Sequence, residues 1–234
     1  MNSGSLSPTL HLLSALVVHS PFSAEVIPEY EAHGGSVRVD WNPTTVIVSN
    51  INAGVRADVL LLTIEAMDEF VAKGIVDEST RVDLLRSNIG IAVMPDTASP
   101  DISTVAALSK SLVSARSVAY SLGGASGIYF MKMIEALGIG DEINQRATTI
   151  PEGFTAEKLI TGEAEIAVQQ ISELLSVKGV KLVGALPPEV QKTTSFAVGA
   201  FADSSHSKAA REFIQHLSSD TSRASYSRFG LEPI

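Results

Sequence analysis

Residues 58–63 read DVLLLT, an apolar run too short to cross a membrane and apolar at alternate as well as successive positions. That is the pattern of a parallel strand covered on both faces. Comparable runs recur at 88–94 (NIGIAVM), 117–121, 165–170 (EIAVQQ), 180–185 and 193–201 (TTSFAVGAF). Shorter strands are predicted at 11–14, at Val37, Val39 and Trp41, and at 147–150. Between them, apolar residues fall at helical spacing. Phe22, Val26, Ile27 and Tyr30 form one such face, with Ser20-Pro21 as its predicted start and Pro28 as a bend. Val46 opens a short helix closed by Gly54, and Met67, Phe70 and Val71 mark a helix stopped at Gly74. Val105, Leu108 and Leu112, then Phe130, Ile134 and Leu137, then Ala209, Phe213 and Leu217 mark three more. The order β-α-β-α-β-α in the first half predicts a parallel sheet with right-handed crossovers. The fold class is therefore α/β.

Length and charge narrow the partners. The 234 residues suffice for one large α/β unit or two small lobes, and 45% of them are hydrophobic. No apolar run reaches membrane-spanning length, so no membrane insertion is expected. A formal net charge of −9 argues against nucleic acid as a partner. With no cysteine, disulfides, thiolate metal ligands and a Cys nucleophile are excluded. Residues 10–18 are apolar enough for a signal-peptide core, but no Lys or Arg precedes Arg38, so a basic n-region is missing. The expectation is a cytoplasmic protein if Met1 is the native start, or an export signal replaced by the leader 1–7. An acidic surface predicts a monomer.

Parallel α/β sheets bind ligands at the carboxyl ends of their strands. Four strand-to-helix turns here are rich in hydroxyls, amides or glycine: Ser14 and its neighbours, 42–45, 121–127 (SLGGASG) and 169–172. The glycine turn has the character of an anion cradle, where backbone N–H groups converge without a charged side chain. The same residues also serve as ordinary caps and turn formers. Catalytic motifs fail. Gly124-Ala125-Ser126-Gly127-Ile128 lacks the last glycine of a nucleophile elbow, and no Lys follows for a Walker loop. The glycines miss dinucleotide spacing, and histidines 11, 19, 33, 206 and 216 show no metal spacing. No metal and no cofactor is expected. Asp58 reads as a buried structural hydrogen-bonder, and Glu163 with Glu165 as solvated.

The segments ADVLLLT (57–63), RVDLLRSNIGIAV (81–93), DISTVAAL (101–108), YSLGGASGIYF (120–130), LGIGDEI (137–143), GEAEIAVQQISELL (162–175) and GALPPEVQK (184–192) resemble the molybdate-binding-protein-like solute-binding family. These are extracellular substrate-binding proteins of ABC importers. The resemblance runs in order over nearly the whole chain from Leu10. It implies a two-lobed type II periplasmic-binding-protein-like fold, each lobe a parallel-type sheet flanked by helices. Lobe 1 is expected at 8–87 plus 202–234, lobe 2 at 97–192, and hinge strands at 88–96 and 193–201. It further implies a small anion enclosed between the lobes, a periplasmic location and an importer membrane component as partner. Carried onto this sequence, the ligand-binding residues are Ser14, Thr44, Thr45, Ser121, Gly124, Ala125, Ser126 and Gln170. Where molybdate binders of the family have a tyrosine, Gln169, Gln170 and Ser172 stand here. The small-residue loop after the first strand is replaced by Ala15-Leu16-Val17-Val18-His19. Both departures point to a larger anion, such as a small carboxylate. Some proteins resembling this branch isomerise aconitate, which leaves an isomerase open with His19 as base and Arg56 or Lys158 as clamp. A cytosolic anion sensor is the third reading.

Overall fold

The computed structural model describes residues 8–234, and the leader 1–7 lies outside the described residues. In chain order the elements are β1 (Leu10–Ser14), α1 (His19–Pro21), α2 (Ile27–Ala32), β2 (Val37–Trp41), α3 (Thr44–Asn52), β3 (Val59–Thr63), α4 (Ile64–Ala72) and β4 (Val82–Val93). They continue with α5 (Val105–Ser114), β5 (Val118–Ser121), α6 (Ala125–Ala136), α7 (Gly140–Asn144), β6 (Thr148–Ile150), α8 (Glu157–Ile160) and β7 (Ile166–Gln170). The last are α9 (Ile171–Leu175), β8 (Lys181–Ala185), β9 (Thr193–Ala200), α10 (Ser207–Leu217), α11 (Asp220–Arg228) and β10 (Glu232–Pro233).

The chain divides into two compact units, residues through Arg86 with Ser195–Ile234, and Ser87–Thr194. In the first, β2 and β3 flank β1 in parallel register, and β9 closes on β3 antiparallel. All five residues of β3 are buried, as the DVLLLT pattern requires. Leu12, Leu61, Phe22, Phe213 and Tyr226 anchor one core, and Leu13, Leu60, Leu62, Met67 and Phe70 the other, so the sheet is covered on both faces. In the second unit β5 lies between β6 and β7, all parallel, while β7 and β8 each pair β4 antiparallel. Phe130, Ile134 and Leu112 cover this sheet on one side, and Leu159 and Leu174 on the other.

The structure corrects several expectations. The sheets are mixed: β9, β10, β4 and β8 run against their neighbours. No β-α-β crossover links these strands to the strands they pair with, so the rule that makes such neighbours parallel does not apply. β4 starts at Val82, earlier than the expected Asn88, because β10 pairs with Leu85 and Arg86 from 146 or more residues downstream. Ser20 caps nothing. A helical turn already begins at Leu16, and a π-turn at Phe22–Val26 precedes Pro28 and carries the bend. Thr44 and Thr45 open α3 rather than form a turn before it, with Pro43 as its N-cap.

Candidate functional site

The second unit brings three loops to one end of its sheet. β5 and β7 are parallel neighbours, with Val118 opposite Ile166 and Ala119 opposite Ala167, and β6 pairs with β5 through Ser121 and Ile150. The chain therefore leaves β5, β6 and β7 side by side, at 121–127, 151–156 and 169–173.

In the first loop Ser121 is buried and its Oγ accepts the Gly124 N–H at 3.1 Å. Gly124 is the N-cap of α6 and supplies no side chain, so the N–H groups of Ala125, Ser126 and Gly127 have no intrahelical acceptor. The glycines are sterically required. A Cβ on Gly127 would collide with the backbone carbonyl of Ser121, and one on Gly124 would crowd its Oγ. Ser126 is buried beside them. Ser121, Gly124, Ala125 and Ser126 thus form one dipolar turn at the positive end of a 12-residue helix.

The third loop differs from expectation. Gln170 is buried, and its amide belongs to the protein. In the orientation that satisfies every neighbour, its nitrogen donates to the carbonyls of Ser87 (3.2 Å) and Asn88 (3.3 Å), and its oxygen accepts from Thr194 Oγ1 (3.2 Å). Gln169 holds the middle loop in place. Its Oε1 accepts from Thr155 N (2.8 Å) and Thr155 Oγ1 (3.0 Å), and its Nε2 donates to the Gly153 carbonyl (3.0 Å).

Sequence reasoning missed Glu173. It sits three residues after Gln170, the N-cap of α9, and its carboxyl accepts the Gln170 backbone N–H and a hydrogen bond from Gln169. This is the returning half of a capping box, and the spacing Gln170-x-x-Glu173 could have signalled it. Burial pushes the carboxyl up to about 8, because two neutral donors do not replace its lost hydration.

The first unit has its own carboxyl-end turns. Ser14 ends β1 fully buried, and its Oγ donates to the Ala15 carbonyl at 3.0 Å. The Asn42 N–H donates to the Ser14 carbonyl, joining the ends of β1 and β2. Thr44 is half-buried and Thr45 exposed in the first turn of α3. His19 stands edge-on to Trp41 with ring centroids 4.9 Å apart, and burial lowers its pKa, which keeps the imidazole neutral.

The two candidate clamps are committed elsewhere. Arg56 donates to the carbonyls of Ile51 and Val55 and faces Asp203 at 3.6 Å, near the amino end of β3. Lys158 pairs with Glu163 at 3.0 Å. Among the described residues no group of His, Asp and Glu is arranged to hold a metal ion.

Family comparison settles the broad class. The family described as bacterial extracellular solute-binding protein matches residues 13–232. The chain belongs to that family. As a solute-binding protein it is 34% identical over 218 residues to an aconitate isomerase of Pseudomonas sp., covering 90% of this chain and 82% of that one. Its fold is similar to the periplasmic molybdate-binding protein of Azotobacter vinelandii, with a TM-score of 0.77, 14% identity, and 95% and 98% of the two chains covered. It is also similar to the sulfate-binding protein of Mycobacterium tuberculosis, with a TM-score of 0.72, 16% identity, and 97% and 87% covered. The fold is thus the α/β fold of periplasmic binding proteins, and no helix among the described residues is long and apolar enough to cross a membrane.

Proposed function

We propose that this solute-binding protein captures a small carboxylate anion with dipoles at the carboxyl ends of its parallel strands. The observation that carries the reading is the 121–127 turn, a glycine-capped helix start walled by buried serine hydroxyls. Ser121, Gly124, Ala125 and Ser126 hold the anion in the second unit, and Ser14, Thr44 and Thr45 form the corresponding carboxyl-end turns of the first. Gln170 acts behind them, as a brace. Such groups bind an anion without the desolvation cost of buried counter-charges. A carboxylate fits better than a tetrahedral oxyanion because of the relative named aconitate isomerase. The partner is an ABC importer component, the location periplasmic and the protein a monomer.

Titration calorimetry against molybdate, sulfate, succinate, citrate and cis- and trans-aconitate tests this. Micromolar binding of a carboxylate, with the inorganic anions at least about tenfold weaker, is expected; tenfold is about 1.4 kcal/mol. Tight molybdate binding would overturn the carboxylate preference, and no binding at millimolar concentration would overturn the reading. A second reading, an isomerase of a small tricarboxylate on the same scaffold, is favoured by the 34% relative.

A further inference from the structure

We propose that Glu173 is the proton acceptor for a carbon-acid isomerisation at this site, with a small unsaturated polycarboxylate as substrate. The inference rests on the anion-binding reading of the carboxyl-end turns and names the group that would carry chemistry there.

Three observations converge on this side chain. The first is position: Glu173 follows β7 directly, and β7 is the parallel neighbour of β5, so its loop adjoins the serine and glycine turn. The second is orientation. Hydrogen bonds from the Gln170 N–H and the Gln169 amide fix the carboxyl, while Gln169 is itself fixed by Thr155 and Gly153. Two accepted bonds leave a carboxylate further lone pairs for a proton.

The third is electrostatic isolation. β5 and β7 carry no charged residue. Lys181 of β8 donates to the Pro95 and Thr97 carbonyls, and Lys158 of α8 pairs with Glu163. In α6 the charged residues, Lys132 and Glu135, fall beyond the second turn. Among the described residues no cation therefore holds Glu173 ionised, and burial makes it a far stronger base than an exposed carboxylate. The carboxyl lies deep, while the residue as a whole is 9% exposed. His19, the other candidate, is the weaker base because burial shifts it the other way.

The chemistry balances without a co-reactant. The ionised Glu173 takes a proton from a methylene beside a carbon–carbon double bond, so a C–H bond breaks and an O–H bond forms. The electron pair spreads over the three-carbon allyl unit into its carboxylates, and the former double bond can rotate. The backbone N–H groups at Ala125, Ser126 and Gly127 face the charge that develops on a bound carboxylate. Glu173 then returns its proton to a terminal carbon of the allyl unit, restoring a double bond with altered geometry.

Proton NMR of trans-aconitate in D2O with the full chain reads both isomerisation and exchange of the methylene protons. The wild type is expected to show both, with kcat rising as pH increases through about 8. Glu173→Gln keeps an oxygen for the Gln170 N–H and should lose about 10²–10⁴-fold in rate. Its calorimetric Kd should stay within about threefold, the signature of a group used in the chemical step rather than in binding. Glu173→Asp, which keeps the acid but shortens it, should retain partial activity, and His19→Gln should stay within about threefold of wild type. Circular dichroism checks that each variant is folded, and Glu173→Asp carries the test should Glu173→Gln fail to fold. Isomerisation that survives in Glu173→Gln, or that is lost in His19→Gln alone, overturns the proposal. So does a wild type that binds aconitate but neither isomerises nor exchanges it, an outcome that leaves the binding reading intact. Absence of carboxylate binding overturns both.

Discussion

Asp58 and Glu173 are both buried residues, 8% and 9% exposed, yet their carboxyls are shifted in opposite directions. Asp58 lies just before β3. Burial alone would raise it, but it accepts from Ser204 Oγ at 2.6 Å, the His11 N–H at 2.8 Å and His206 Nδ1 at 3.1 Å, and the net shift is downward. Glu173 lies just after β7, has a backbone N–H and one amide, and is shifted up to about 8. Donor supply and the deeper burial of the Glu173 carboxyl together separate them. The first acid is a fastening that ties β1, β3 and the start of α10 together, consistent with a structural hydrogen-bonder. The second keeps an unspent capacity to take and give a proton.

The comparison breaks first under pH. Between about 4.5 and about 8 the unfolded chain has released the Glu173 proton while the folded chain still holds it. Stability therefore falls as pH rises through that window, by roughly 5 kcal/mol at about 1.4 kcal/mol per unit. Glu173→Gln removes this titration. In urea unfolding the variant should gain on wild type by up to that amount at pH 8 and above, and the difference should vanish near pH 4. A pH-independent difference would mean that Glu173 is ionised in the folded protein.

Asp58→Asn is the mirror test. The amide cannot accept all three donors, and breaking a buried charged network of this kind costs about 3 kcal/mol. Here the sign reverses. The folded carboxyl is shifted down, so its contribution is present above the unfolded value of 3.8 and disappears as pH falls through the lower folded value. The variant should thus be weaker at pH 7 and approach wild type in acid. A loss that does not shrink below pH 4 would assign the effect to packing.

The same contrast explains what could be read in the sequence. Local patterns were legible: the buried run of β3, the helix stops at glycine, and the serine and glycine turn after β5. What escaped depends on partners far along the chain. Gln170 looks like a ligand donor until Ser87, Asn88 and Thr194 are seen to occupy its amide. Val82–Ser87 looks too polar for a buried strand, with Asp83 and Arg86 interrupting it, until β10 pairs there. Arg56 looks free to clamp a carboxylate until it meets Asp203 and two carbonyls. Glu173 is the instructive intermediate. Its spacing from the N-cap was visible, whereas its burial is a tertiary property that no local window contains.

Ser121 gives the smallest effect and the sharpest distinction between fastening and capacity. Its hydroxyl already accepts the Gly124 N–H, as a turn former would, but it retains its own proton to donate. Ser121→Ala should cost about 1 kcal/mol of stability from the lost turn bond. If the hydroxyl also donates to the bound carboxylate, affinity should fall by a further ~1.5–3 kcal/mol, roughly 10- to 150-fold, because that bond is charge-assisted. Ser14→Ala supplies the control, since the Ser14 hydroxyl spends its proton on the Ala15 carbonyl and should lose less affinity. Equal losses at the two positions would remove the difference drawn between spent and unspent donors. A loss of stability at Ser121 with unchanged carboxylate affinity would return that serine to the role of a turn former, with the backbone N–H groups alone facing the anion.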